Sequence, residues 1–217
     1  MTTAINIDTF TEPQFGENAF VVWRRAGGPC WIIDPGLPPS GNLILEHIKK
    51  HDLKPVSLIL THGHLDHIAG VPFILDAFDS LPVHMAEAAS VALTDPSENL
   101  SADQGLPIAI GEIPTIDLAP GDQLTLDETD WRILDTSGHA PGSRSLYCES
   151  AATVIVGDAL FQGSIGNTAF HHSDARLLIH NIRTQLLTLP EETQVYSGHG
   201  SPTTIGEEKR SNPFLQS

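Results

Sequence analysis

The stretch THGHLDHIAG (61–70) sets His62, His64, Asp66 and His67 within six positions of a chain that has 11 histidines in 217 residues. Imidazole and carboxylate together, without thiolate, are donors that suit Zn, Fe or Mn. His62 and His64 are two apart, so in an extended segment they project to the same side and can chelate one ion. Asp66 and His67 fall where the chain turns into a helix and can face a second ion. Three further residues share one context: His139 in DTSGHAPGS, Asp158 in VIVGDALF and His199 in YSGHGSP each follow a strand-like run and neighbour a glycine. A ligand at a strand end is held by the sheet, while glycine lets the backbone turn sharply beside it. With Asp158 as a shared carboxylate, the seven side chains suffice for two divalent metal ions with three protein ligands each. Zn is the first expectation, with Fe or Mn as the other options. His47, His51, His84 and His180 read as hydrogen-bonded structural residues.

The elements that must position these side chains are legible as hydrophobic runs. INIDTF (5–10), AFVVWRR (19–25) and CWIID (30–34) predict strands, being β-branched and aromatic and broken by Gly and Pro. GNLILEHIKKH (41–51) predicts a helix, and the continuously apolar VSLIL (56–60) a buried strand leading into the histidine cluster. Ile68, Val71, Leu75 and Phe78 at helical spacing predict one helix after it, with Pro72 near its first turn. Residues 94–120, rich in Pro, Gly, Asp and Ser, read as a surface excursion. QLTLD (123–127), WRILD (131–135), SLYCE (145–149) and TVIVGD (153–158) predict a second group of strands. A helix over 174–189 follows, with Leu178, Ile182, Leu186 and Leu189 on one face, and then the strand TQVYS (193–197). Strands and helices, followed by strands and helices again, suggest two sheets between helical layers in an α/β or α+β chain. A single domain over residues 1–217 is expected.

The bulk properties remove several function classes. A formal net charge of −16 with only 11 Lys and Arg disfavours nucleic acid, which needs a basic footprint. No apolar run approaches the roughly 20 residues of a membrane span. The start MTTAINIDTF has neither a basic nor an apolar signal region. Cys30 and Cys148 lie in strand-like runs and form no CxxC pair, so they read as reduced, buried thiols. A cytoplasmic protein is expected.

THGHLDH with the later GHAPGS, GDALF and GHG resembles the metallo-β-lactamase superfamily nearly end to end. The resemblance implies an αββα sandwich, two mixed β-sheets packed face to face with helices on the outer faces. GHAPGS, GDALFQGSIG and GHGSPTTIGEEKRSNPF are similar to the glyoxalase II-like hydrolases, above all to their short bacterial branch. Position by position, the resemblance implies that His62, His64 and His139 bind the first metal. Asp66, His67 and His199 would bind the second, and Asp158 would bridge both. Asp34, in IIDPG, matches an aspartate that supports the site from behind.

The implied reaction is hydrolysis of a small thioester by a hydroxide shared between two ions, with Asp66 orienting it. A thiolate leaves without a strong general acid, because its conjugate thiol has a pKa of about 8–9. Two departures bear on the substrate. Longer glyoxalase II enzymes continue into a helical domain that grips glutathione, whereas 18 residues follow His199 here, so the grip on glutathione is expected to be smaller. Where relatives read GRTD, this chain has Gly166, Asn167, Thr168 and Ala169, followed by His171 and His172. Asn167, His171 and His172 are candidate substrate contacts, though solvated loop residues are the plainer reading of the two histidines. A persulfide dioxygenase using one iron on two histidines and a carboxylate remains the alternative activity. A non-catalytic binding module is a third reading, opposed by an undamaged ligand set. A β-lactamase that uses a cysteine ligand finds no cysteine at a ligand position, and a tRNA-processing nuclease finds no basic arm.

Overall fold

The computed structural model describes residues 4–216. Its elements run β1 (Asn6–Thr11), β2 (Asn18–Trp23), β3 (Pro29–Ile33), α1 (Ser40–His51), β4 (Lys54–Ile59), α2 (Leu65–Ile68), α3 (Val71–Ala77), β5 (Val83–His84) and β6 (Thr115–Ile116). The second half runs β7 (Gln123–Leu126), β8 (Thr129–Asp135), β9 (Arg144–Cys148), β10 (Thr153–Gly157), β11 (Leu160–Phe161), β12 (Ser164–Ile165), α4 (Ala175–Asn181), β13 (Gln194–Ser197), β14 (Thr203–Thr204) and α5 (Ile205–Ser211). One six-stranded sheet has the order β1-β2-β3-β4-β5-β6 and the other β14-β13-β10-β9-β8-β7. Both are mixed: β3, β4, β5 and β6 pair in parallel after an antiparallel start, and β10 pairs in parallel with β13 in an otherwise antiparallel sheet.

The layering follows from strand periodicity. Successive strand side chains point to opposite faces. On β2 and β3, Phe20, Val22, Trp31 and Ile33 face one apolar cluster, while Ala19, Val21, Cys30 and Ile32 face another. The first cluster also contains Trp131, Ile133, Leu146 and Ile155 of the opposite sheet, so it is the inter-sheet core. At its centre the Trp31 and Trp131 rings meet edge-on with centroids 5.6 Å apart. The second cluster packs the outer face of the first sheet on Ile44 and Ile48 of α1, Ile68 of α2 and Ile74 of α3. A third packs Val154 and Val156 of β10 on Leu178 of α4, Ile182, Leu186 and Ile205 of α5. The result is helix, sheet, sheet, helix, as the resemblance implies.

The structure differs from the sequence reading in three places. The helix expected through Ile68 and Phe78 is two, α2 and α3, parted at Ala69 and Gly70. A Cβ on Gly70 would stand 2.7 Å from the carbonyl oxygens of both Pro35 and Gly36, so the chain presses its bare backbone against the β3–α1 loop there. The helix expected over 174–189 keeps its apolar stripe, but α4 ends at Asn181 and continues as a wider turn over Ile182–Leu186. The excursion over 94–120 is not all surface. Asn99 and Ser101 are fully buried, and Asn99 donates to the Ala92 and Ile108 carbonyls while its own carbonyl accepts from the Leu65 amide at the start of α2. Turn-forming residues specify backbone geometry rather than exposure, which is why the composition misleads. No helix among the described residues is long and apolar enough to cross a membrane. Both cysteines are buried free thiols, and burial pushes the Cys30 thiol up to about 12.

Candidate metal centre

The sheet ends on one side of the sandwich bring the polar residues together. His62 and His64 follow β4, with Asp66 and His67 in α2; His139 follows β8, Asp158 follows β10 and His199 follows β13. Nε2 of His62 lies 3.2 Å from Nδ1 of His64, and Nε2 of His139 lies 2.9 Å from that same atom. Donors about 2.05 Å from a tetrahedral ion stand about 3.3 Å apart, so this spacing is close to that of a ligand set. Asp66, His67 and His199 form a second group whose donor atoms lie within 4.8 Å of one another. Asp158 stands between the groups. Its Oδ2 is 3.5 Å from His139 Nε2 and 3.4 Å from His199 Nε2, and its Oδ1 is 3.4 Å from His67 Nε2.

The outward hydrogen bonds fix which ring nitrogen of each histidine faces the cluster. Nδ1 of His67 donates to Asp34 Oδ2 at 3.0 Å, and Nδ1 of His139 to the Asn167 carbonyl at 2.8 Å. Nδ1 of His199 donates to the Phe15 carbonyl at 3.2 Å, and Nδ1 of His62 to Thr61 Oγ1 at 3.1 Å. Thr61 Oγ1 in turn donates to Asp34 Oδ2, and the Thr61 amide to Oδ1. A neutral imidazole that spends its proton outward presents a lone pair inward. His67 Nε2 and Asp158 Oδ1 are buried with no hydrogen-bond partner, the signature of atoms built for a ligand outside the protein. The donor set therefore fits two divalent ions of the imidazole and carboxylate type.

Metal-free, the cluster divides by charge. Burial together with neighbouring imidazoles holds His62 and His64 well below the usual histidine range; burial lowers His139 too. Burial opposes charge on His67 and His199 as well, yet Asp158 and Asp66 outweigh it, holding His67 well above that range and His199 at about 10. The same pairing keeps Asp158 ionised against its burial. A pH prediction follows. The stability from a raised His199 is whole below its unfolded pKa of about 6.5 and is lost as pH climbs through about 10. His67 acts in the same direction, while the lowered His62, His64 and His139 act only on the acid side. The melting temperature of the metal-free protein is expected to fall between about pH 7.5 and 9.5. Divalent ions, which bind neutral imidazole, should reverse that slope; a flat metal-free profile would contradict it.

A cavity of about 540 Å³ opens on the cluster, and its wall includes His64, Asp66, His139, Asp158 and His199. Phe15, Leu100, Phe161 and Phe170 supply apolar lining, with Asp103, Gln104 and Asn167 as polar points. Asn167, expected as a substrate contact, is on this wall; His171 and His172 are not. His172 instead stands behind His64, with its Nε2 3.0 Å from His64 Nε2, and His171 packs on its outer side with ring centroids 4.5 Å apart. After Phe170 the chain passes behind His64 rather than across the cavity. Glu17 was not singled out in the sequence. It is fully buried, with Oε1 4.0 Å from His67 Nδ1, and burial pushes its carboxyl well above the usual range. Nothing in QFGENAF announces this, because a lone Glu between strands normally faces water.

The family model of the metallo-beta-lactamase superfamily matches residues 13–199. Hydroxyacylglutathione hydrolase GloC of Haemophilus influenzae is 35% identical over 214 residues, which cover 98% of this chain and 99% of that protein. The crystal structure of BLEG-1 B3 metallo-beta-lactamase superposes with a TM-score of 0.91 at 35% identity, covering 98% of this chain and all of that one. The structure of TTHA1623 in a di-iron-bound form gives a TM-score of 0.83 at 34% identity over 96% of this chain and all of that one. The chain belongs to the metallo-beta-lactamase superfamily.

Proposed function

We propose that this metal-dependent hydrolase cleaves small acyl thioesters, with His62, His64 and His139 holding one divalent ion, Asp66, His67 and His199 the other, and Asp158 shared between them. The observation that carries this is Asp158, whose two oxygens reach histidines of both groups at 3.4–3.5 Å. Ions held there would supply a water acidified from 15.7 toward about 7 and a Lewis acid for the acyl carbonyl. The protein does the rest. Asp66, on the cavity wall with Oδ2 3.3 Å from His199 Nε2, would accept a hydrogen bond from a water held beside the ions and orient its lone pair. Asn167 Oδ1 accepts from the Ala169 amide, which leaves its side-chain NH2 to donate to an acyl oxygen. The aromatic wall excludes solvent from the acyl chain.

The cavity also speaks to the thiol. Glutathione carries two carboxylates and one ammonium, yet among the described residues no lysine or arginine lines the cavity, and Asp103 does. The glutathione moiety is therefore expected to raise kcat/KM by less than about tenfold over an N-acetylcysteamine thioester of the same acyl group. A preference of a hundredfold or more for the glutathione thioester would refute this.

A thioester panel that includes S-D-lactoylglutathione tests the function itself. Chelation should abolish turnover and Zn should restore it. Parallel assays with a β-lactam and with glutathione persulfide under oxygen separate the competing readings. Turnover of the β-lactam alone, or oxygen uptake by iron-loaded protein without thioester hydrolysis, would overturn the proposal.

A further inference from the structure

His64 differs from the other four clustered histidines in what stands behind it. The others donate outward to oxygen acceptors: Thr61 Oγ1, Asp34 Oδ2, the Asn167 carbonyl and the Phe15 carbonyl. His64 turns Nδ1 inward and sets Nε2 against Nε2 of His172 at 3.0 Å. Two imidazole nitrogens at that distance share one proton, so one donates and the other accepts. When the His64 Nδ1 lone pair goes to an ion, the neutral ring carries its proton on Nε2. His172 must then accept on Nε2 and carry its own proton on Nδ1. That Nδ1 is buried without a hydrogen-bond partner, on a side chain only 8% exposed, and the carboxylate beside it is Glu98, with Oε2 3.8 Å away.

We propose that His172 and Glu98 are positioning residues that fix His64 with its proton on Nε2 and its Nδ1 bare. The inference rests on the reading of His64 as a ligand. His172 then backs His64 by a direct hydrogen bond, while Glu98, at 3.8 Å and beyond hydrogen-bond reach, favours a proton on His172 Nδ1 through its charge. Glu98, His171 and His172 also bring three donor atoms within 4.8 Å of one another, which invites a third cation. The proton positions oppose it. An ion on His172 Nδ1 would drive that ring's proton to Nε2, facing the Nε2 proton of a metal-bound His64 across 3.0 Å. Glu98, His171 and His172 therefore hold a proton, not a cation, while the first site is filled.

The test is titration of the metal-free protein with Zn against a chromophoric chelator, which resolves successive binding constants without reference to activity. His64→Ala identifies the constant that belongs to the first ion. His172→Leu should weaken that same constant by about 10–100-fold and leave the other within about threefold. His172→Gln, whose side-chain oxygen can still accept from His64 Nε2, should restore most of the loss. Glu98→Gln, which keeps shape and removes charge, should weaken it by about threefold. Circular dichroism confirms that each variant is folded. If His172→Leu and Glu98→Gln both bind as the parent does, the positioning role is wrong although His64 remains a ligand. A third ion in the parent, lost in His172→Leu, would equally overturn it. If His64→Ala itself changes neither constant, the ligand reading fails instead.

Discussion

Asp158→Ala is expected to lower thioester turnover by about 10³-fold or more and to cut the divalent metal content from two ions per chain to one or none. The carboxylate reaches His139, His67 and His199 at 3.4–3.5 Å, so on the proposed assignment its loss would remove a ligand from both groups at once. It is also the largest charge offsetting burial at His67, and the metal-free variant should lose part of the stability that a protonated His67 confers near neutral pH. Elemental analysis beside steady-state kinetics measures the effect. Asp158→Asn, equal in volume, separates charge from shape and should lose metal almost as fully. A variant that keeps two ions and its turnover would remove Asp158 from the centre.

Gly198→Ala is the second large effect, from a residue with no chemistry of its own. A Cβ at Gly198 would stand 2.2 Å from Asp158 Oδ1 and 2.7 Å from His67 Cε1, and real Cβ atoms do not approach within 3.0 Å. His67 is fully buried and tied to Asp34, so it cannot yield, and Asp158 can yield only by turning its carboxylate away from His67 toward the cavity. A ligand displaced by about 1 Å costs on the order of 10²-fold in rate. Overpacking costs about 1–3 kcal/mol of stability. Turnover and bound metal should both fall while circular dichroism is retained. Gly121→Ala, at φ +91° with open space around its Cβ, is the comparison, with strain and no loss of metal. Unchanged metal content in Gly198→Ala would show that the close approach is relieved elsewhere.

What the sequence made legible follows from which interactions use side-chain identity. The seven clustered residues stand out by type and spacing, and the sheets bring all of them to one end of the sandwich. The strands are legible as apolar runs, but their faces are not: Phe20 and Val22 alternate with Ala19 and Val21, both sets are apolar, and only the structure shows which one meets the opposite sheet. The atoms that orient the histidines were mostly hidden, because the Asn167 and Phe15 acceptors are backbone carbonyls, which any residue supplies. Asp34 emerged only through the resemblance. Its φ of +46° suits an Asp at a turn and looks in sequence like any other turn-former. His172 was visible as a histidine but not as the partner of His64, since a contact between residues 64 and 172 leaves no local pattern. The two-residue strands β5, β6, β11, β12 and β14 are shorter than any periodicity can report. Gly198 was noticed as a turn residue, whereas the space beside Asp158 and His67 is what requires it.

The proposed centre pairs two ions across Asp158. Anomalous diffraction at the absorption edge of the metal found by elemental analysis tests it most directly. Two peaks about 3.5–4 Å apart are predicted, one against His62, His64 and His139 and one against Asp66, His67 and His199, with Asp158 touching both. A single peak, or two peaks that Asp158 does not join, would contradict it.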